Sequence, residues 1–137
     1  MNDENNTAEG QQPEKTLVID TTPETFEQDV FERSKSVPVV LDFWAAWCAP
    51  CRALGPVLQK LAHEFDGRIA LVKADTEVLQ EQAMQFQVGG IPSVFGVLDG
   101  EVIDHFEGAW PEDQLRQWIN QLLSAGDLKD AQALEAD

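Results

Sequence analysis

Cysteine, histidine and basic residues are scarce in this chain of 137 residues. It has two cysteines, two histidines and nine lysines and arginines, against 25 aspartates and glutamates. The resulting net charge of −16 argues against binding to nucleic acid and to anionic membrane surfaces, because both repel an acidic protein. We therefore expect neither nucleic acid nor a membrane among the partners.

Long apolar runs and a basic start are also missing. No uninterrupted apolar stretch approaches the length needed to cross a bilayer. Residues 1–6 lack both the positive charge and the apolar run of a secretory signal. We expect a cytoplasmic protein, and in a reducing cytosol two lone cysteines favour catalysis or metal binding over a structural disulfide.

The length predicts one compact domain with tails. Residues 1–15 are polar and acidic, which predicts a disordered N-terminal tail. Residues 16–123 hold the periodic apolar segments and are predicted to form the domain. Residues 124–137 predict a C-terminal tail or a short helix, since apolar residues recur there at a spacing of three.

Apolar patterning predicts the order β-α-β-α-β-α-β-β-α. The strands are predicted at residues 17–19, 37–43, 69–72, 92–98 and 101–106. The helices are predicted to begin near Thr22, Cys51, Glu77 and Pro111. The two middle strands, joined through a helix, indicate a parallel pair, and Asp99-Gly100 indicates an antiparallel hairpin. Helices should cover both faces of a mixed sheet.

Two details of the packing follow from single residues. The third predicted helix has Val78, Leu79 and Ala83 available for the core. Gly96 lies inside a predicted strand, where glycine weakens packing or marks the close approach of another element.

The two cysteines stand two residues apart, in Cys48-Ala49-Pro50-Cys51, where a buried strand leads into a helix. A pair that close can cycle between dithiol and disulfide. The free N–H groups and the dipole of a helix start favour a thiolate at Cys48. Cys51 lies one turn further in, where the dipole helps less and the helix shields it. We therefore predict Cys48 as the nucleophile and Cys51 as the resolving cysteine.

A zinc half-site is the structural alternative for the same two cysteines. His63 follows Cys51 at a spacing that looks finger-like. The second histidine of such a site is missing, because His105 lies far downstream. We predict no metal.

The sequence resembles the thioredoxin family from about Leu17 to Leu123. The matching residues are Asp42-Phe43-Trp44-Ala45-Ala46-Trp47-Cys48-Ala49-Pro50-Cys51, Lys73, Gly90-Ile91-Pro92-Ser93, the turn Asp99-Gly100, and Gly108. The resemblance implies the α/β thioredoxin fold and a protein-disulfide reductase that works through a redox-active Cys48–Cys51 disulfide. It implies no bound cofactor. The expected partners are disulfide-containing client proteins and a thioredoxin reductase that supplies electrons from NADPH.

The resemblance also implies roles for residues outside the cysteine pair. Asp42 would be a buried carboxylate that accepts, through water, the proton of Cys51, and Lys73 would tune it. Burial raises the pKa of such a carboxyl and a nearby ammonium lowers it, and we expect burial to dominate. Ile91-Pro92 would form a cis-proline loop that pairs with an extended substrate. The substrate groove would consist of Trp47, Ala49, Pro50, Gly90, Ile91, Pro92 and Gly108.

A second, looser likeness is to the thioredoxin domains fused to tetratricopeptide repeats, the chaperedoxin type. It rests on the Cys-Ala-Pro-Cys motif and on the stretch from Asp104 to Glu112. In that case the domain would be a redox-active client-binding module, a holdase or a mixed-disulfide adaptor, with chaperones among its partners. Ala49 departs from the glycine usual in thioredoxins proper and should stiffen the turn between the cysteines.

Overall fold

A computed structural model describes residues 17–136, with side-chain surroundings up to residue 130. The tail predicted for residues 1–15 lies outside this range. The strands are β1 (Val18–Asp20), β2 (Val39–Trp44), β3 (Ala70–Asp75), β4 (Ser93–Leu98) and β5 (Glu101–Glu107). The α-helices are α1 (Ala49–Glu64), α2 (Gln80–Gln85) and α3 (Glu112–Ala136). No helix of the described range is both long and apolar enough to cross a membrane.

The first helical segment lies between β1 and β2 and is not an α-helix. It runs as a π-helix, Glu27–Glu32, and continues as a 3-10 turn, Arg33–Lys35. The hydroxyl of Thr22 accepts the backbone N–H of Thr25 at 3.2 Å. This contact closes a turn, so the helical segment begins later than the prediction placed it.

The five strands form one mixed sheet in the order β1-β3-β2-β4-β5. Strand β2 pairs in parallel with β3 and antiparallel with β4, and β4 pairs antiparallel with β5. The predicted parallel pair and the predicted hairpin are both confirmed. Strand β2 is the central strand and is buried from Val39 to Phe43, as its continuous apolar run predicts.

Each face of the sheet is covered by helical elements. One face packs against α1 and α3, through a cluster that includes Val40, Val94, Leu54, Leu58, Leu115 and Ile119. The other face packs against the first helical segment and the residues around α2, through Leu41, Phe43, Phe26, Val30, Leu79 and Phe86. The predicted cover on both faces is therefore present.

Helix α2 contributes less to the core than its sequence indicates. Val78 is 56% exposed, so its predicted place in the core is wrong, whereas Leu79 is fully buried and Ala83 is half-buried. The helix begins only at Gln80. Leu79 therefore enters the core as the residue before the helix, and Val78 lies in the preceding turn, outside the helical register.

Residues 124–136 continue α3, whereas the sequence indicated a separate tail or short helix there. Gly126 lies close to β4, since a Cβ at this position would be 3.4 Å from Leu98 Cδ1. Beyond it, Lys129 Nζ lies 3.6 Å from Glu101 Oε1. A separate helix of residues 124–136 would be marginal in water. The contacts of this segment with the hairpin stabilise it as part of α3.

Gly96 marks a close approach, one of the two meanings considered for a glycine inside a strand. A Cβ built on Gly96 would lie 2.9 Å from Leu122 Cδ1 and 3.3 Å from the ring of Trp118. Both side chains belong to α3 and are buried. The glycine therefore allows α3 to pack directly on the backbone of β4.

We predict that Gly96→Ala lowers the free energy of unfolding by about 1–3 kcal/mol, because the added methyl group overfills this contact. Urea unfolding of the oxidised protein measures the change. Gly89→Ala is the matched control, since a Cβ there meets no heavy atom of the described residues within 4 Å. Equal losses of stability in the two variants would contradict the packing argument.

Candidate active site

Cys48 is the N-cap residue of α1, and Cys51 lies in the first turn of that helix. The sulfur of Cys48 accepts the backbone N–H of Cys51 at 3.2 Å. The two cysteines form a disulfide, with their Cα atoms 5.2 Å apart. The N–H of Cys51 therefore points at the Cys48 sulfur, where it and the helix dipole stabilise a thiolate once the disulfide is reduced.

The two cysteines are equally buried, each with 5% of its surface exposed. Cys51 is shielded, as expected, but Cys48 is covered to the same extent. Both pack in one small cluster with Ala45, and the side chains of Trp44 and Ile91 pack against it. Their positions relative to the helix start, and not their exposure, distinguish the two sulfurs.

The loop before β4 lies against the cysteine pair. The Ile91–Pro92 peptide bond is cis, as the family resemblance implied. The carbonyl oxygen of Ile91 lies 3.8 Å from Cys48 Sγ. The hydroxyl of Ser93 donates to the carbonyl of Gly90 at 2.6 Å, and Gly108 N–H donates to the carbonyl of Pro92 at 2.9 Å. These bonds hold the loop beside Cys48 and attach the end of β5 to it.

Trp47 precedes the disulfide on its other side and is 67% exposed. Its indole N–H donates to Glu77 Oε2 at 3.0 Å. Ala49 and Pro50 are exposed as well. Sequence reasoning missed Glu77, although an acid just after a buried strand is a signal that could have been found.

Asp42 lies on β2, directly in register with Lys73 of β3. It is only 1% exposed, and among the described residues its Oδ1 has no hydrogen-bond partner. The ammonium of Lys73 lies 4.8 Å from the ring centre of Trp44. Burial raises the pKa of Asp42 to about 7, against the opposing effect of Lys73. Burial dominates, as expected.

His63 does not join the cysteines. It is exposed on α1, and its Nδ1 lies 2.9 Å from the carbonyl oxygen of Gln59. Within residues 17–136 no group of three or more histidines, cysteines, aspartates or glutamates is arranged to hold a metal ion.

This arrangement defines the class of protein. A cysteine pair at the start of a helix, with the sulfur of its N-cap cysteine next to the loop before β4, is a site for thiol-disulfide exchange. The protein is a thiol-disulfide oxidoreductase. Residues 17–121 match the family model described as Thioredoxin, and the mixed sheet with helices on both faces is the thioredoxin fold. The chain belongs to the thioredoxin family.

Curated relatives agree with this assignment. Thioredoxin C-2 of Corynebacterium nephridii is 38% identical over 104 residues, which are 76% of this chain and 94% of that protein. Thioredoxin of Haemophilus influenzae is 41% identical over 88 residues, 64% of this chain and 82% of that protein. Thioredoxin 1 of Nostoc sp. is 36% identical over 102 residues, 74% and 94% of the two chains. These comparisons give no support to the chaperedoxin-type alternative.

The raised pKa of Asp42 makes the stability of the oxidised protein depend on pH. The carboxyl ionises near 3.8 in an unfolded chain and near 7 in the folded protein. Between these values the folded protein binds the additional proton, so the free energy of unfolding falls as the pH rises. The loss is complete above the folded pKa and is on the order of 2 to 4 kcal/mol.

We predict that Asp42→Ala gains stability relative to the native protein by about 2–4 kcal/mol between pH 4 and pH 8, because the variant lacks the buried charge. Urea titrations of the oxidised proteins at several pH values measure the difference. Asp42→Asn keeps the shape of the side chain but cannot ionise, so its stability should vary with pH as that of Asp42→Ala does. Parallel pH profiles for the native protein and both variants would refute the account.

Proposed function

We propose that the protein reduces the disulfide bonds of client proteins by dithiol-disulfide exchange. The observation that carries this proposal is the position of Cys48 at the N-cap of α1, with its sulfur 3.2 Å from the backbone nitrogen of Cys51. A helix start lowers the pKa of a cysteine thiol, and the thiolate is the attacking species in disulfide exchange. Cys48 is then the nucleophile and Cys51 the resolving cysteine.

In the first step, the Cys48 thiolate attacks one sulfur of the client disulfide. A new sulfur–sulfur bond joins Cys48 to the client, and the other client sulfur leaves as a thiolate that takes up a proton. The client segment is proposed to lie in the groove around the disulfide. That groove is formed by Trp47, Ala49, Pro50, Gly90, Ile91, Pro92 and Gly108.

In the second step, Asp42 accepts the proton of the Cys51 thiol, through water. The Cys51 thiolate attacks the Cys48 sulfur, the second client sulfur leaves as a thiolate, and the cysteine pair becomes a disulfide. A carboxyl whose pKa is about 7 suits proton transfer near neutral pH. Lys73 tunes this acceptor, because its ammonium favours the ionised form of Asp42.

Two electrons must return to the disulfide for a second turnover. We propose a thioredoxin reductase that uses NADPH as their source, and the cytoplasm as the location. Family membership supports the reductase as a partner. The two lone cysteines support the location, because a reducing cytosol keeps such thiols available for exchange.

The two cysteine variants should fail in different ways. We predict that Cys48→Ser abolishes the reduction of insulin disulfides by the protein with NADPH and reductase, because no sulfur remains to attack the client. Cys51→Ser should instead accumulate a covalent mixed disulfide, because only the resolving step is lost. Electrophoresis without reductant measures that species.

The native protein is the control for both variants, and rapid turnover is expected. If the native protein forms mixed disulfides but does not turn over, it acts as a client-binding adaptor and the proposal is wrong. Preferential alkylation of Cys51 near neutral pH would reverse the roles of the two cysteines.

Asp42→Ala should slow the resolution of the mixed disulfide by about 10- to 100-fold and leave its formation unchanged, because only Cys51 needs the proton acceptor. Stopped-flow mixing of the reduced protein with a peptide disulfide separates the two steps. Asp20→Ala is the control, since Asp20 is exposed on β1. An unchanged resolution rate in Asp42→Ala would remove Asp42 from the proton path.

A further inference from the structure

Glu107, the last residue of β5, lies at the edge of the proposed client groove. It pairs in register with Ser93 of β4. A Cβ built on Gly90 would lie 3.4 Å from Glu107 Oε1, so the carboxylate rests against the loop that faces the disulfide. The carbonyl oxygen of the next loop residue, Ile91, lies 3.8 Å from Cys48 Sγ.

The carboxylate of Glu107 is exposed, and no ion pair within residues 17–130 neutralises its charge. The ion pairs of the described part of the chain do not include it. The other carboxylate beside the groove, that of Glu77, accepts the indole N–H of Trp47 at 3.0 Å. Glu107 therefore offers the groove a charge that no group of residues 17–130 engages.

Asp75 and Arg52 also carry charges near the cysteines. Asp75 Oδ1 accepts the backbone N–H of Glu77 at 2.9 Å and adds a further negative charge on the Trp47 side. Arg52, in the first turns of α1, donates from Nη1 to the carbonyl oxygen of Ala46 at 2.8 Å. The rim of the groove is thus predominantly acidic.

A client segment that lies along this loop passes the Glu107 carboxylate soon after its cysteine. An extended chain advances about 3.4 Å per residue. A client side chain one to three residues from the cysteine therefore comes within reach of Gly90 and Glu107. A carboxylate at that point attracts an ammonium or guanidinium group and repels another carboxylate.

We propose that Glu107 is a specificity-determining residue that favours client segments with lysine or arginine close to the disulfide cysteine. This inference rests on the proposed function, since it concerns the choice among disulfide clients. A charge pair at an exposed site changes a rate constant by about two- to fivefold. The preference should weaken at high ionic strength, because salt screens exposed charges.

The test uses the full chain, reduced with dithiothreitol and freed of it, so that no reductase is needed. Three disulfide-linked peptide dimers serve as clients, identical except that two residues flanking the cysteine are both lysine, both glutamine or both glutamate. Stopped-flow measurement gives the second-order rate constant for each peptide. The quantity compared is the ratio of the lysine to the glutamate rate constant.

We expect Glu107→Gln to lower this ratio two- to fivefold relative to the native protein. The control is Glu101→Gln, at the opposite end of the same seven-residue strand, about 20 Å away; it removes one carboxylate together with that carboxylate's ion pair to Lys129. The control should leave the ratio near its native value. Glu107→Lys should lower the ratio further than Glu107→Gln does. In 0.5 M salt the ratios of the native protein and the three variants should become similar.

Other outcomes would overturn the inference. A ratio that Glu107→Gln leaves unchanged, or that Glu101→Gln lowers equally, would show that local charge at Glu107 does not select clients. The glutamine peptide separates this failure from a failure of the proposed function. If the native protein reduces that neutral peptide, disulfide reduction stands and only the role of Glu107 is lost; if it reduces none of the three peptides, both are lost.

Discussion

The burial of β2 in the middle of the sheet is the constraint on which the site depends. Hydrogen bonds to β3 on one side and to β4 on the other hold this strand along its length. Helical elements cover both of its faces. A strand held in this way ends at a defined point, and the chain after Trp44 must then turn into α1 at Cys48. The sulfur of that cysteine therefore lies at the helix start, where thiolate stabilisation is greatest.

The same burial makes the charge of Asp42 unfavourable for the stability of the folded protein. A carboxylate among apolar side chains loses its hydration, and the parallel neighbour Lys73 only partly compensates, so the pKa of Asp42 remains near 7. Replacing such a group with an apolar one usually favours the folded state. An acid retained there despite this cost fits a chemical role better than a structural one. Stability and the proposed proton transfer thus depend on the same desolvation.

The hairpin of β4 and β5 borders the proposed client groove. Its first strand starts from the cis-proline loop beside Cys48, and the N–H of Gly108, just after its second strand, bonds back to Pro92. The pairing of β5 with β4 places the Glu107 carboxylate beside Gly90. The net charge of −16 and the Glu107 carboxylate beside the proposed groove act in the same direction, because long-range and local electrostatics would both favour positively charged client segments.

The sequence by itself determined the order of the elements, the parallel and antiparallel pairings, the cysteine pair at a helix start and the buried Asp42. These features follow from hydrophobic periodicity and turn residues, which act over a few positions of the chain. Only the tertiary structure decided that Val78 is exposed, that both cysteines are equally covered, that α3 continues past residue 123, and that Glu77 meets Trp47 and Glu107 meets Gly90. The physical reason is that these contacts join residues distant in the chain, and the packing of helices on a sheet of fixed register sets them.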